Sequence, residues 1–145
     1  MLTIVGLVAC KSTIDNKSQV GIKGNWIITN VSYPGSEVIN IHSFDIADSK
    51  CFEGSTWKFI SNNNKGHMSL TKTGCVNFSS DIVWSINKDG KFGLKFLNSG
   101  EKAKNTQQGY FLRVANQSED SFQLIDNFNI GGKPTDIIYQ FKKVN

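Results

Sequence analysis

Three thiols and two imidazoles carry most of the reactive potential of this chain: Cys10, Cys51, Cys75, His42 and His67. A zinc site would use them in close pairs such as C-x-x-C or H-x-x-x-H, because one short element must present two ligands to the same ion. No such pair occurs, so no metal is expected. Nucleophilic catalysis would need a Ser, Cys or Thr beside a base that a third group orients. The two histidines fall in separate segments and neither adjoins a nucleophile motif, so no catalytic residue is assigned and no enzyme is expected. Gly131-Gly132 reads as a turn without the strand-to-helix context of a phosphate cradle, and no cofactor is expected. The carboxylates Asp45, Asp48 and Glu53 gather in one segment, where they are expected to keep a surface loop soluble or, alternatively, to form a polar rim on a ligand mouth.

Cys10 differs from the other thiols in its position. It ends an uncharged apolar run, Met1 to Ala9, which matches the core of a signal peptide and is about half the ~20 residues that a membrane-spanning helix needs. Leu7-Val8-Ala9-Cys10 resembles a bacterial lipobox, which implies cleavage before Cys10 and acylation of its sulfur. Two or three acyl chains, at about 0.8 kcal/mol per buried methylene, hold a domain firmly at a bilayer. The polar stretch from Lys11 to Gln19 reads as a solvated tether. Residues 1–9 are therefore assigned to the signal peptide, 10–22 to the lipidated cysteine and tether, and 23–145 to the folded domain. No Lys or Arg precedes the apolar run, so the start codon is expected a few residues upstream. Lys11 lacks the acidic character associated with inner-membrane retention, so the expected location is the bacterial envelope, at the outer membrane. Export also bears on the remaining thiols. With Cys10 set aside, Cys51 and Cys75 form an even pair in an oxidising compartment, and a bridge closing their loop of about 25 residues would be worth roughly 3.5 kcal/mol.

The elements that must position these groups are strands. From Gly24 onward, short runs alternate apolar and polar residues and are separated by Asn, Asp and Gly, an all-β pattern. Eight runs stand out: 24–33, 56–60, 67–71, 81–86, 91–96, 109–114, 121–125 and 136–141. Asp89-Gly90 supplies the positive φ of a tight hairpin between two of them. The fold class expected is all-β, an eight-stranded antiparallel up-and-down barrel, since closure removes the exposed edges of an open sheet, with a two-sheet sandwich as the alternative. Residues 34–55 are too long for a hairpin turn, and Val38, Ile39, Ile41, Phe44 and Ile46 give them an apolar side. They are expected to form a lid or folded loop, with a short strand or helical turn, which a Cys51–Cys75 bridge would staple to the barrel. The net charge of +4 rests on scattered lysines with Arg113 as the only arginine, so no nucleic-acid partner is expected.

Gly24-Asn25-Trp26 opens the first strand of this domain with a G-x-W. Together with the lipobox, the short tether, the run from Cys51 to Ile60 and the final Tyr139-Gln140-Phe141, it resembles the lipocalin-like lipoproteins of Bacteroidota over nearly the whole mature chain. The resemblance implies an eight-stranded calyx, a Trp26 that closes one end of the barrel, and an apolar small ligand. It departs from the family pattern in one place: the late arginine that stacks on that tryptophan is absent, and only Lys142 and Lys143 stand nearby. Thr135-Asp136 precedes the last strand and takes no family role.

The inward phase inferred from alternation supplies the candidate ligand lining: Trp57, Phe59, Met68, Leu70, Trp84, Phe92, Leu94, Phe96, Tyr110, Leu112, Phe122 and Tyr139. Ile82, Leu124 and Phe141 share that phase. The expected function is a membrane-anchored, monomeric binding protein for a small apolar or amphipathic molecule. The alternative is an envelope lipoprotein whose barrel is solid and whose loops engage a protein partner, because barrels of this size are either filled by side chains or hold one small ligand.

Overall fold

The computed structural model describes residues 21–35, 40–97 and 109–144. Cys10, the signal segment, the tether as far as residue 20, Val38, Ile39 and Lys102-Ala103-Lys104 lie outside the described residues.

The strands are β1 (Gly24–Ser32), β2 (His42–Ser43), β3 (Ala47–Asp48), β4 (Thr56–Ile60), β5 (Lys65–Leu70), β6 (Phe78–Ile86), β7 (Lys91–Leu97), β8 (Tyr110–Ala115), β9 (Ser121–Ile130) and β10 (Lys133–Lys143). β1 and β4 to β10 close into an antiparallel barrel, with β1 joining β10 on one side to β4 on the other. All eight expected strands are present, and the fold is the expected up-and-down barrel. Alternation drives it: in β4, Trp57 and Phe59 are buried while Thr56, Lys58 and Ile60 face out.

The differences lie at strand ends. β9 continues past Ile125 to Ile130, because Gly131 and Gly132, both at positive φ, make a two-residue turn that lets Lys133 pair with Ile130. Pro134 is therefore inside β10. It is tolerated because β1 pairs with β10 no further than Ser32↔Ile138, so no second ladder needs its missing N–H. Gly66 lies within β5, where a Cβ would stand 2.1 Å from the Lys58 carbonyl oxygen. In β1 the register slips between Ile28 and Asn30, so the inward side passes from Trp26 and Ile28 to Val31.

Trp26 lies buried at one end of the barrel. Its indole N–H donates to the Ile22 carbonyl at 2.7 Å, and the Lys143 ammonium sits 5.3 Å from its ring centroid. Lysine thus takes the ring-facing position, and of the two candidates it is Lys143, which pairs directly with Trp26 across β1 and β10. Ile22, expected in the tether, is fully buried and belongs to the core.

The segment after β1 forms the lid. It holds the β2–β3 ribbon and a 3₁₀ turn, Ser49–Phe52, so both a strand pair and a helical turn are present. Cys51 and Cys75 are disulfide-bonded, with Cα atoms 5.9 Å apart, joining the 3₁₀ turn to the β5–β6 connection. Replacing both cysteines with serine is expected to lower stability by about 3 kcal/mol in denaturant unfolding, because the unfolded chain regains the freedom of the closed loop. A loss under about 1 kcal/mol would mean that the lid's other contacts hold it without the bridge.

Candidate functional site at the barrel mouth

The alternation places all twelve candidate lining residues inside the barrel: ten are buried, and Phe96 and Tyr110 are half-buried. They fall into two zones. Toward Trp26 the rings fill the interior, with Phe122 and Phe141 stacked at 4.5 Å, Trp26 edge-on to Phe122 at 4.7 Å, and Phe59 against Trp84 at 5.1 Å. These contacts make that half a core. The opposite end, where β1 leads into the lid, is built differently.

There the space between the strands is taken by a lid side chain. Phe44 is 8% exposed, and its ring centroid lies 5.1 Å from Tyr110, 5.4 Å from Phe96, 5.5 Å from Phe52 and 5.8 Å from Tyr139. Phe44 and Asp45 both stand at φ 56° in the turn closed by the Ile46 N–H on the Ser43 carbonyl. Left-handed backbone costs a residue with a Cβ about 1–2 kcal/mol, so the surrounding contacts hold this tip in place against its local preference.

Those contacts are mainly hydroxyl pairs and a charged root. The Ser43 and Tyr139 hydroxyls lie 2.7 Å apart in the buried mouth, Tyr33 and Ser49 hydrogen-bond through theirs, and the Tyr110 hydroxyl donates to Asp45 at 3.4 Å. Burial first, and then Asp45, push the Tyr110 phenol up to about 12, so it remains a donor at neutral pH. Tyr139 is raised further, chiefly by burial. At the root, Glu53 accepts the Val31 N–H at 2.9 Å and pairs with Lys50 at 3.5 Å and Lys72 at 3.4 Å. Burial pulls Glu53 upward, but this N–H and the two lysines outweigh it and leave the carboxyl below its usual range. Asp48 accepts the Lys50 N–H at 3.0 Å and caps the 3₁₀ turn. The three lid carboxylates, expected to keep the lid soluble or to form a polar rim at a ligand mouth, each hold a specific donor.

One carboxylate enters the inward phase of the wall itself. In β9, Phe122, Leu124, Asp126 and Phe128 share one side, and Asp126 stands opposite Ile137 of β10. Burial pushes its pKa up to about 6 against the opposing pull of the Asn127 N–H. Ending β9 at Ile125 leaves Asp126 unrecognised in the sequence, although the even-numbered alternation continues through Ile130. Phe44 is visible there only as one apolar lid residue among several, and Phe52 not at all as a site residue.

His67 lies on the outer face with its Nδ1 2.9 Å from Asp81, and His42 is exposed on β2, so the structure does not bring the imidazoles together. Among the described residues no cluster of three or more His, Cys, Asp or Glu could hold a metal ion. No helix among them is long and apolar enough to cross a membrane.

The profile of the lipocalin-like domain family matches residues 22–124. No curated protein matches the chain. Among solved structures, a lipocalin-like protein from Bacteroides uniformis is 12% identical with a TM-score of 0.53, covering 85% of this chain and 98% of its own. A protein from Bacteroides eggerthii is 15% identical with a TM-score of 0.48, covering 83% and 98%. Bovine odorant-binding protein in complex with a selenium-containing odorant is 11% identical with a TM-score of 0.47, covering 88% and 73%.

The raised pKa of Asp126 sets a sign for stability. Its folded value of about 6 exceeds the unfolded value, so the folded state binds the extra proton, and stability falls as pH rises from about 4 to 6. Asp126→Asn is expected to be more stable than the parent at pH 7, by about 1 kcal/mol after allowance for solvent screening at this half-buried site. The difference should disappear below about pH 4 in thermal unfolding, and a variant less stable at pH 7 would contradict the assignment.

Proposed function

The chain belongs to the family of lipocalin-like domains, and from this premise we propose that it is a binding protein for a small apolar or amphipathic molecule, taken into the mouth half of the barrel. The observation that carries the reading is Phe44. The Trp26 half is filled by the barrel's own strands, whereas the mouth half is filled by a lid side chain on a backbone that opposes its position. Withdrawal of that ring would expose Phe52, Phe96, Tyr110 and Tyr139 together with the Ser43-bonded hydroxyl, an apolar site with a few directional polar groups. Binding rather than catalysis is the activity that this lining supports.

The experiment is titration with the neutral fluorophore N-phenyl-1-naphthylamine. Uptake by the parent protein is expected, and Phe44→Gly should bind about tenfold more tightly, since glycine removes the competing ring and adopts positive φ without strain. Absence of uptake by both proteins at saturating probe would overturn the reading.

The same proposal places the domain at the outer membrane of a bacterial envelope as a monomer, held through acylated Cys10. What supports this is the apolar leader and the lipobox-like Leu7-Val8-Ala9-Cys10. Intact mass of the protein from native membranes should correspond to a chain starting at Cys10 with two or three acyl groups. A mass without them would overturn the anchor and leave the binding reading intact.

A further inference from the structure

The barrel wall is not laced evenly. β8 and β9 pair at Arg113↔Ile125, Val114↔Leu124 and Ala115↔Gln123, on the side toward the Trp26 end. Nearer the mouth, among the described residues, 110–112 pair with β7 alone and 126–130 with β10 alone. A cleft of about 330 Å³ follows this seam. Phe111, 67% exposed, and Arg113 border it from the outer phase, and where the ladder stops it reaches Leu112 and Asp126 of the inward phase.

Asp126 meets little there to balance its charge. Across from it in β10 stands Ile137, and Leu112 of β8 lines the same cleft, both buried and apolar. The nearby Tyr139 hydroxyl is engaged with Ser43. The other charged groups along the cleft belong to the outer face or the β6–β7 turn: Asp89, Lys91, whose ammonium lies over the Phe111 ring, Arg113, and Asp136, which accepts from the Asn127 amide at 2.8 Å. Among the described residues no cation pairs with the Asp126 carboxylate, which accepts the Asn127 N–H. A neutral ligand would leave this charge uncompensated, an anion would be repelled, and a cation would repair it.

We propose that Asp126 anchors the protonated amine of a small amphiphile, whose apolar part lies along Leu112 toward the aromatic mouth. The proposal rests on the ligand-binding reading above and adds the charge of the ligand. It makes Asp126 a specificity residue: the amine gains a charge-assisted hydrogen bond that an alcohol of the same length makes weakly and a carboxylate cannot make.

The test compares octylammonium, 1-octanol and octanoate by calorimetric titration of the full chain at pH 7.5. Octylammonium should bind at least about tenfold more tightly than octanol, the range of a hydrogen bond to a charged group, with octanoate weakest. Asp126→Asn should abolish the preference for the amine while leaving octanol unchanged. In the parent protein the preference should also fade as pH drops through about 6, where Asp126 takes up its proton while the alkylammonium stays charged. Equal affinity for octanol and octylammonium, or a preference that survives in Asp126→Asn, overturns the amine assignment and leaves the binding function standing. Failure of all three ligands to bind overturns both.

Discussion

An eight-stranded antiparallel ring has one dimension that cannot be adjusted: its interior is only as wide as the side chains that face across it. In this protein closure is made by β1, which bonds β10 through Trp26↔Lys143 and β4 through Trp26↔Trp57. Most inward positions are then apolar and large enough to meet their counterparts, and the buried tryptophans and phenylalanines with Tyr139 serve that purpose. Where they meet without a gap, as in the Phe122–Phe141 stack, the barrel is a core like that of any small domain. The proposed ligand site lies in the part of the ring that its own strands do not fill.

That part is the mouth, and the lid is what fills it. Its root is fastened by the disulfide, by Glu53 on Val31 and its two lysines, and by the Tyr33–Ser49 pair. Its tip carries Phe44 in a left-handed backbone region that its side chain disfavours, beside Asp45, which tolerates it better. Displacing the root would break more bonds than displacing the β2–β3 ribbon, so the strained tip is the part of the lid that the proposed exchange would move. The interior aromatic contacts remain undisturbed by such a change, so exchange of a ring at the mouth need not weaken the core that closes the barrel.

Charge is handled differently at two partly buried carboxylates, Glu53 at the lid root and Asp126 in the barrel wall. Glu53 is partly buried but compensated by a backbone N–H and two ammonium groups, and its acidity is enhanced. Asp126 is partly buried with the Asn127 N–H but, among the described residues, no paired cation, and its acidity is reduced. The first arrangement stabilises the fold at neutral pH; the second costs stability at the same pH. A group that costs stability and sits where the β8–β9 ladder ends is more naturally explained by what it meets from outside than by the packing around it.

The strand count, the inward phase and the disulfide pair are legible in the sequence, because each depends on local period or on residue type: alternation in Trp57-Lys58-Phe59, two thiols left after Cys10, Asp-Gly at a turn; the G-x-W end of the barrel follows from the resemblance. Even the substitution of lysine for the ring-facing arginine can be read there, though not which lysine; the β1–β10 register selects Lys143. The features that distinguish the site are not local. Phe44 is one apolar residue in a long connection until folding brings Phe52, Phe96, Tyr110 and Tyr139, drawn from four separate elements, around its ring. Asp126 looks like the polar end of a strand until the Gly131-Gly132 turn carries β9 onward and turns its carboxylate into the barrel wall. Period and composition determine which residues face inward; only closure of the ring decides which of them find partners there, because those partners come from strands distant in the chain.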